Sequence, residues 1–409
     1  MSVSVAEQKE NLLIQLKAQI VQHMENNVDG FSSLTQAQKI SLIAEKTERS
    51  ANNINNLMTQ PIQGSGDSFL RLVRGLKDLR IQLMNDSAPI EQQVSQASEV
   101  IQSIRSQISS ALIGQDIIVD QVLICLIGGG HVLLEGVPGL GKTLLVRALS
   151  RCFAGEFSRV QFTPDLMPAD VTGHSLYDMK TGEFQLRKGP AFTNLLLADE
   201  INRAPAKTQS ALLEVMQEHQ ITIDGQSIHL SEPFMVLATQ NPLDNEGTYP
   251  LPEAELDRFM MKIFIEYPSL NDEVYLTKLN TNDKASGFNL DDLEQVANPE
   301  QITTLQKLAS KITIDDEVLQ YAINIVRKTR EWPGVVHGAG VRGSIFLIQA
   351  AKSKALLDGL SYVIPDHIKQ VAGAVIGHRM ILSAEREIEG LTPYDVLSDL
   401  IEQIPAPRK

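Results

Sequence analysis

The sequence predicts an α/β core, a parallel sheet flanked by helices, with a helical region before it and an all-α domain after it. Between about residues 110 and 265, short apolar runs ("HVLLEG", "LLLADE", "FMVLATQ") alternate with helical segments. These runs are apolar throughout, which implies strands buried on both faces. On either side of this stretch apolar residues recur instead at three- and four-residue steps, the spacing of one helical face.

A chain of 409 residues is too long for one compact core and suggests roughly two to four domains. With 43% hydrophobic and 21% charged residues the composition is globular, which argues against wholesale disorder. A net charge of -14 disfavours a general nucleic-acid coat and leaves room only for a local basic channel. The only cysteines, Cys125 and Cys152, exclude a disulfide scaffold, fit a reducing compartment and read as packing residues. No basic stretch followed by an apolar core opens the chain, and no apolar run is long and unbroken enough to span a bilayer. A cytoplasmic protein with no transmembrane segment is expected.

Residues 1–104 form the first region, polar, rich in Gln and Asn, and helix-patterned. Leu13, Leu16, Ile20 and Met24 share one helical face, as do Phe69, Leu72, Leu76, Leu79 and Leu83 after the break "QGSGDS". Val94, Ala97, Ile101, Ile104 and Ile108 follow with coiled-coil-like spacing. These stripes fit either a helical bundle that buries them within itself or an arm that docks a partner or neighbouring subunits. Residues 105–265 are the α/β domain. Residues 266–409 are helical again, in "PEQITTLQKLASKI", "DDEVLQYAINIVRKTRE" and "RGSIFLIQAAKSKALLDG", with Pro365 placed to start a further helix.

Gly136, Val137, Pro138, Gly139, Leu140, Gly141, Lys142 and Thr143 satisfy the phosphate-loop pattern G-x-x-x-x-G-K-[ST], and Leu144 follows on the same helical turn. The strand "HVLLE" precedes them and the helix "TLLVRALSRC" follows, which is the context this loop needs. Its glycines let backbone N–H groups turn inward around phosphate oxygens, aided by the partial charge of the helix N-terminus. Lys142 is expected on the β- and γ-phosphates and the Thr143 hydroxyl on Mg²⁺. Asp199 and Glu200 end a buried strand at its carboxyl edge, where ligands sit in such sheets. Asp199 is expected to hold Mg²⁺ through water, and Glu200 to polarise the attacking water as general base. Asn241 ends the strand "FMVLATQNP"; its neutral amide can orient water without adding negative charge.

Together "GVPGLGKT", "LLLADEINRAPAKTQSALLEVMQE", "LATQNP" and "YPLPEAELDRF" closely resemble the MoxR family of AAA+ ATPases, from about residue 105 to the C-terminal region. The resemblance implies a P-loop AAA+ core with an α-helical lid, binding ATP and Mg²⁺ and hydrolysing the nucleotide in a ring, expected to be a hexamer. "LPEAELDRF" resembles the segment that carries the arginine finger, pointing to Arg258; a salt bridge with Asp257 or Glu255 is the plain alternative. Arg203, in "INRAP", is also typical of the family. "HGAGVRGSIFLIQAAKSKALL" resembles the second sensor, pointing to Arg342, although "GVRGS" departs from the usual Ser-Pro-Arg triplet. Whether Arg342 serves its own or a neighbouring subunit's site stays open.

"HSLYDMKTGEFQLRKGP" and "HQITIDGQSIHL" read as two hairpins, each either a contact for a protein client or a structural connection. Lys180, Arg187 and Lys188 make the first locally positive. His131, His219 and His229 lack metal-ligand spacing, and Trp332 reads as packing. "NNINNLMTQPIQGSGDSFLRLVRGLKDLRIQLMND" is similar to helical segments of TelA-type tellurite-resistance proteins, with no motif that assigns a function. The resemblance to MoxR proteins implies chaperone-like remodelling of protein clients, with a partner bearing a von Willebrand factor A domain. Two rivals remain at this point: a nucleic-acid motor, disfavoured by the acidic composition, and a nucleotide-dependent scaffold with little turnover, which has no need of Glu200, Asn241 and Arg258.

Overall fold

The computed structural model describes residues 5–27, 31–47, 51–59, 76, 89–137, 139–179, 182–241, 248–281 and 290–407. The chain divides into two compact units, residues 1–93 and 94–409.

In the first unit lie helices α1 (Val5–Asn27), α2 (Gln36–Lys46) and α3 (Ala51–Thr59). The Leu13, Leu16, Ile20 and Met24 face of α1 is buried in one apolar cluster with Phe31, Ile43, Ile54 and Leu76. This stripe is therefore covered within its own unit. Thr35 opens α2 with a capping box, its hydroxyl taking the Gln38 N–H while Gln38 reaches back to the Thr35 N–H. Phe69, Leu72, Leu79 and Leu83 lie outside the described residues, as does most of the TelA-like segment.

Helix α4 (Ile90–Ala111) runs through residues 104 and 105 and carries the coiled-coil-like stripe. Val94, Ala97, Ile101, Ile104 and Ile108 are buried, and Ser98 and Gln102 donate to the Leu357 carbonyl within the second unit. The spacing that suggests a coiled coil here marks a helix packed onto its own domain. Helix α5 (Asp116–Ile127) is largely apolar, and its apolar residues are buried from Ile118 onward, as in a core helix.

The sheet strands are β1 (Val132–Glu135), β2 (Phe157–Gln161), β5 (Leu195–Asp199), β8 (Met235–Gln240) and β9 (Met261–Phe264). They pair in the order β2-β5-β8-β1-β9, all parallel. The three central strands are the apolar runs expected from the sequence; the outer two, "FSRVQ" and "MKIF", carry polar residues because they form the edges. Helices α6 (Lys142–Cys152), α7 (Pro168–Thr172), α8 (Ala206–Glu218) and α9 (Glu253–Leu256) connect them. Both expected hairpins form: β3 (Gly173–Asp178) with β4 (Glu183–Lys188), and β6 (Gln220–Ile223) with β7 (Gln226–His229). Asp224 and Gly225 turn the second with φ of 51° and 78°, the two left-handed positions of a type I′ turn. Lys180 lies outside the described residues.

Helices α10 (Leu270–Thr281), α11 (Pro299–Lys311), α12 (Asp316–Thr329), α13 (Val341–Leu357), α14 (Pro365–Ile376), α15 (Ala384–Ile388) and α16 (Pro393–Gln403) follow, with a small antiparallel pair, β10 (Val335–His337) and β11 (Ile381–Leu382). Proline opens α11, α14 and α16, where its fixed φ suits the first helical turn and no N–H is lost. Helix α13 packs on α5 and α14 on β9, so the helical domain leans along one edge of the sheet. No helix among the described residues is long and apolar enough to cross a membrane.

Candidate functional site

The loop after β1 turns at Gly139 and Gly141, whose φ of 89° and 80° are costly for any residue with a Cβ. Lys142 starts α6, and its Nζ donates to the Gly136 carbonyl, bending back across the loop. Partial burial pulls the lysine pKa down, while Asp199, Glu200 and Glu135 pull it back up. The loop lysine and the two carboxylates predicted to work with it thus share one electrostatic site. Thr143 and Leu144 follow on the first turn of α6; Pro138 lies outside the described residues. Gln115 donates to the Leu140 carbonyl at 3.2 Å, and its own Oε1 has no partner among the described residues.

Asp199 ends β5 and accepts from the Thr239 hydroxyl at 2.6 Å on the neighbouring strand β8. Its other oxygen takes the Arg159 guanidinium at 2.6 Å from β2. Glu200 follows in the left-handed region, φ 56°, with its N–H given to the same Thr239 oxygen at 2.8 Å. Its Oε2 accepts from Gln161 at 2.7 Å and from Arg203 at 3.1 Å. A helix continuing directly from β5 would carry Glu200 away; the left-handed step holds it at the sheet edge. Asn241, nearly buried, comes just after β8 on the same edge. Arg159, Gln161, Thr239 and Gln115 were not singled out from sequence. Arg159 and Gln161 alternate along β2 and so face the same side, which is the one local signal they leave.

Arg258 and Arg342 are elsewhere. Both line a cleft of about 190 Å³ with His131, Met216 and Phe346. His131 precedes β1 and Arg258 precedes β9, so this cleft opens at the amino edge of the sheet, the end opposite the phosphate loop. Neither sequence-based salt bridge for Arg258 forms. Asp257 is taken by Arg379 at 2.8 Å and Arg342 at 3.2 Å, and Glu255 accepts from Ser210 at 3.0 Å. Arg342, expected on phosphate, meets Asp257 here. Beneath the cleft, His131 is a buried structural residue. Its Nδ1 accepts the Val236 N–H at 3.0 Å, which leaves the proton on Nε2 to be donated to the Met216 carbonyl at 2.9 Å. Burial pushes its pKa down to about 4.

The β3–β4 hairpin projects apolar groups outward: Met179 is 91% and Phe184 73% exposed, with Tyr177 beside Phe184 at 5.2 Å between ring centroids. Cys125 and Cys152 are buried, and burial raises both thiol pKa values, Cys152 to about 11, so neither is a nucleophile at neutral pH.

A strand, glycine loop and helix at the carboxyl edge, an acidic pair on the next strand but one, and a helical lid together define an AAA+ ATPase. Residues 131–261 match the ATPase family associated with various cellular activities (AAA), and residues 327–400 match the AAA lid domain. Chaperone MoxR1 of Mycobacterium tuberculosis is 39% identical over 313 residues, covering 74% of this chain and 81% of that one. The Bacillus subtilis protein YeaC is 46% identical over 300 residues, covering 73% of this chain and 92% of that one. A solved structure from Cytophaga hutchinsonii superposes with a TM-score of 0.72 at 38% identity, covering 78% of this chain and 98% of that one. The chain belongs to the MoxR family of AAA+ ATPases.

Proposed function

We propose that this chain hydrolyses ATP with Mg²⁺ at a site completed by a neighbouring subunit of a ring, a hexamer, and spends the turnover on remodelling protein clients. One observation carries this reading: the phosphate loop with Asp199 and Glu200 lies at one edge of the sheet, and Arg258 with Arg342 at the other. From His131 in the cleft to Gly136 in the loop, five steps of roughly 3.3 Å along β1 span about 16 Å, too far for these arginines to serve their own loop.

In this reading the backbone of Gly136–Leu144 cradles the phosphates, and Lys142 neutralises the β- and γ-oxygens. Glu200 accepts a proton from the attacking water, with Gln161 and Arg203 fixing its carboxylate and Oε1 left for that contact. Asn241 orients the same water without competing for the proton. Thr143 and Asp199 supply hard oxygen donors suited to Mg²⁺, which when bound offsets phosphate charge. Among the described residues no group of three or more His, Cys, Asp or Glu is placed to hold a metal, so phosphate and water would complete the shell. Arg258 and Arg342 of the neighbour would stabilise charge on the γ-phosphate.

The exposed Tyr177, Met179 and Phe184 of the β3–β4 hairpin, the β6–β7 hairpin and residues 1–104 are the surfaces we assign to client choice, together with a partner bearing a von Willebrand factor A domain. The shared site is tested by mixing Arg258→Ala subunits, which keep an intact loop, with Lys142→Ala subunits, which keep intact arginines. Recovery of ATPase activity in co-assembled mixtures supports it; no recovery despite co-assembly overturns it.

A further inference from the structure

We propose that Asp257 is a positioning residue: anchored from the lid by buried Arg379, it holds Arg342 beside Arg258 ready to meet a neighbour's phosphate. This rests on the shared-site reading and adds to it the element that sets the arginine geometry. Arg379 comes from the turn after α14 and its side chain is only 2% exposed. Nε donates to Asp257 Oδ1 at 2.8 Å; Nη2 donates to the carbonyls of Asp257 at 3.0 Å and Phe259 at 2.7 Å. Nη1 donates to the carbonyls of Met260, at 3.4 Å, and Val375. All five guanidinium donors thus have acceptors, four of them on residues 257–260 of the α/β domain. The plane lies over Phe346, 5.2 Å from the ring centroid, and Phe346 itself lines the arginine cleft. Arg379 cannot shift without leaving several buried groups unpaired.

Asp257 is therefore fixed on one side and available on the other. Its Oδ2 takes Arg342 Nη1 at 3.2 Å, and the Arg342 side chain is 41% exposed. An ion pair this open to water is weak and readily exchanged for a more highly charged anion. Arg342 and Arg379 share the one Asp257 carboxylate and Arg258 lines the same cleft as Arg342, so positive charge is in surplus there, which suits a polyphosphate. Without the carboxylate, Arg342 and Arg379 face each other unneutralised, and Arg342, the one with access to solvent, is displaced.

The test is Asp257→Asn, which keeps an oxygen for Arg379 Nε and leaves the carbonyl bonds intact while removing the charge. Turnover should fall about 10- to 100-fold, the scale of a misplaced catalytic group. ATP affinity at the variant's own loop and ring assembly should stay near wild type, Tm should fall because buried Arg379 loses its counter-charge, and Asp257→Glu should recover part of the turnover. Co-assembly with Lys142→Ala subunits should restore activity, because those subunits supply intact arginines. Wild-type turnover in Asp257→Asn overturns the proposal, as does a loss that follows ATP affinity, or one that Lys142→Ala subunits fail to restore where they do restore Arg258→Ala. If the Arg258→Ala mixture recovers while Asp257→Asn is fully active, this inference alone fails; if that mixture does not recover, the shared site fails and this inference with it.

Discussion

The Thr239 hydroxyl donates to the Asp199 carboxylate at 2.6 Å, joining the ends of β8 and β5 where the acidic pair begins. The same oxygen accepts the Glu200 N–H at 2.8 Å, so one buried hydroxyl fixes both acidic residues. Thr239→Val keeps the shape and removes both bonds. It should lower stability by about 1–3 kcal/mol through the orphaned groups and lower kcat about tenfold through lost orientation, with ATP affinity nearly unchanged. Thr239→Ser should retain most of the activity. Steady-state kinetics beside a binding titration checks this; an unaltered kcat in the valine variant would remove Thr239 from the account.

Loop and carboxylate should separate binding from turnover. Lys142→Ala should abolish nucleotide binding, and normal ATP affinity in that variant would overturn the loop assignment. Glu200→Gln should bind ATP while kcat falls about 10²- to 10⁴-fold, the usual contribution of a general base. Because it should hold its partners while loaded, affinity purification of Glu200→Gln with ATP is also the direct way to identify a client.

His131 sets a pH dependence whose sign follows from its surroundings. Burial holds its folded-state pKa down at about 4, against 6.5 ordinarily. Between these values the unfolded chain binds the proton and the folded chain does not, so stability is full above about pH 6.5 and falls as pH drops toward 4. His131→Gln keeps an acceptor for Val236 and a donor for Met216 but cannot titrate. Its loss of stability from pH 7 to 4.5 should be smaller than wild type's by on the order of 2 kcal/mol. Burial also depresses His367 and His378, but they titrate alike in both proteins and cancel in the difference. Parallel pH dependence of the two denaturation curves would rule His131 out.

Local pattern made part of this molecule legible and left part hidden. The central strands could be read because burial on both faces demands unbroken apolar runs. Edge strands β2 and β9 escaped because polar residues interrupt them. The phosphate loop is one contiguous turn and its spacing states its purpose. Thr239 reaches Asp199 across 40 positions and Arg379 reaches Asp257 across 122, and nothing local in the chain announces either pairing. Arg258 shows the same limit: neighbours in sequence offered it Asp257 and Glu255, but more distant residues hold both. The Val94–Ile108 stripe announced its own burial correctly without saying which surface would cover it.

The placement of the loop and the arginines at opposite ends of one sheet gives each subunit a polarity. In the proposed ring, two such subunits joined head-to-tail would complete one site and leave an unmatched loop at one end of the pair and unmatched arginines at the other. Every added subunit would pass that mismatch along the row, and only closure would remove it. Such an assembly would have no self-sufficient member: a single defective arginine end would silence the site of the subunit next to it, whose own chain is intact.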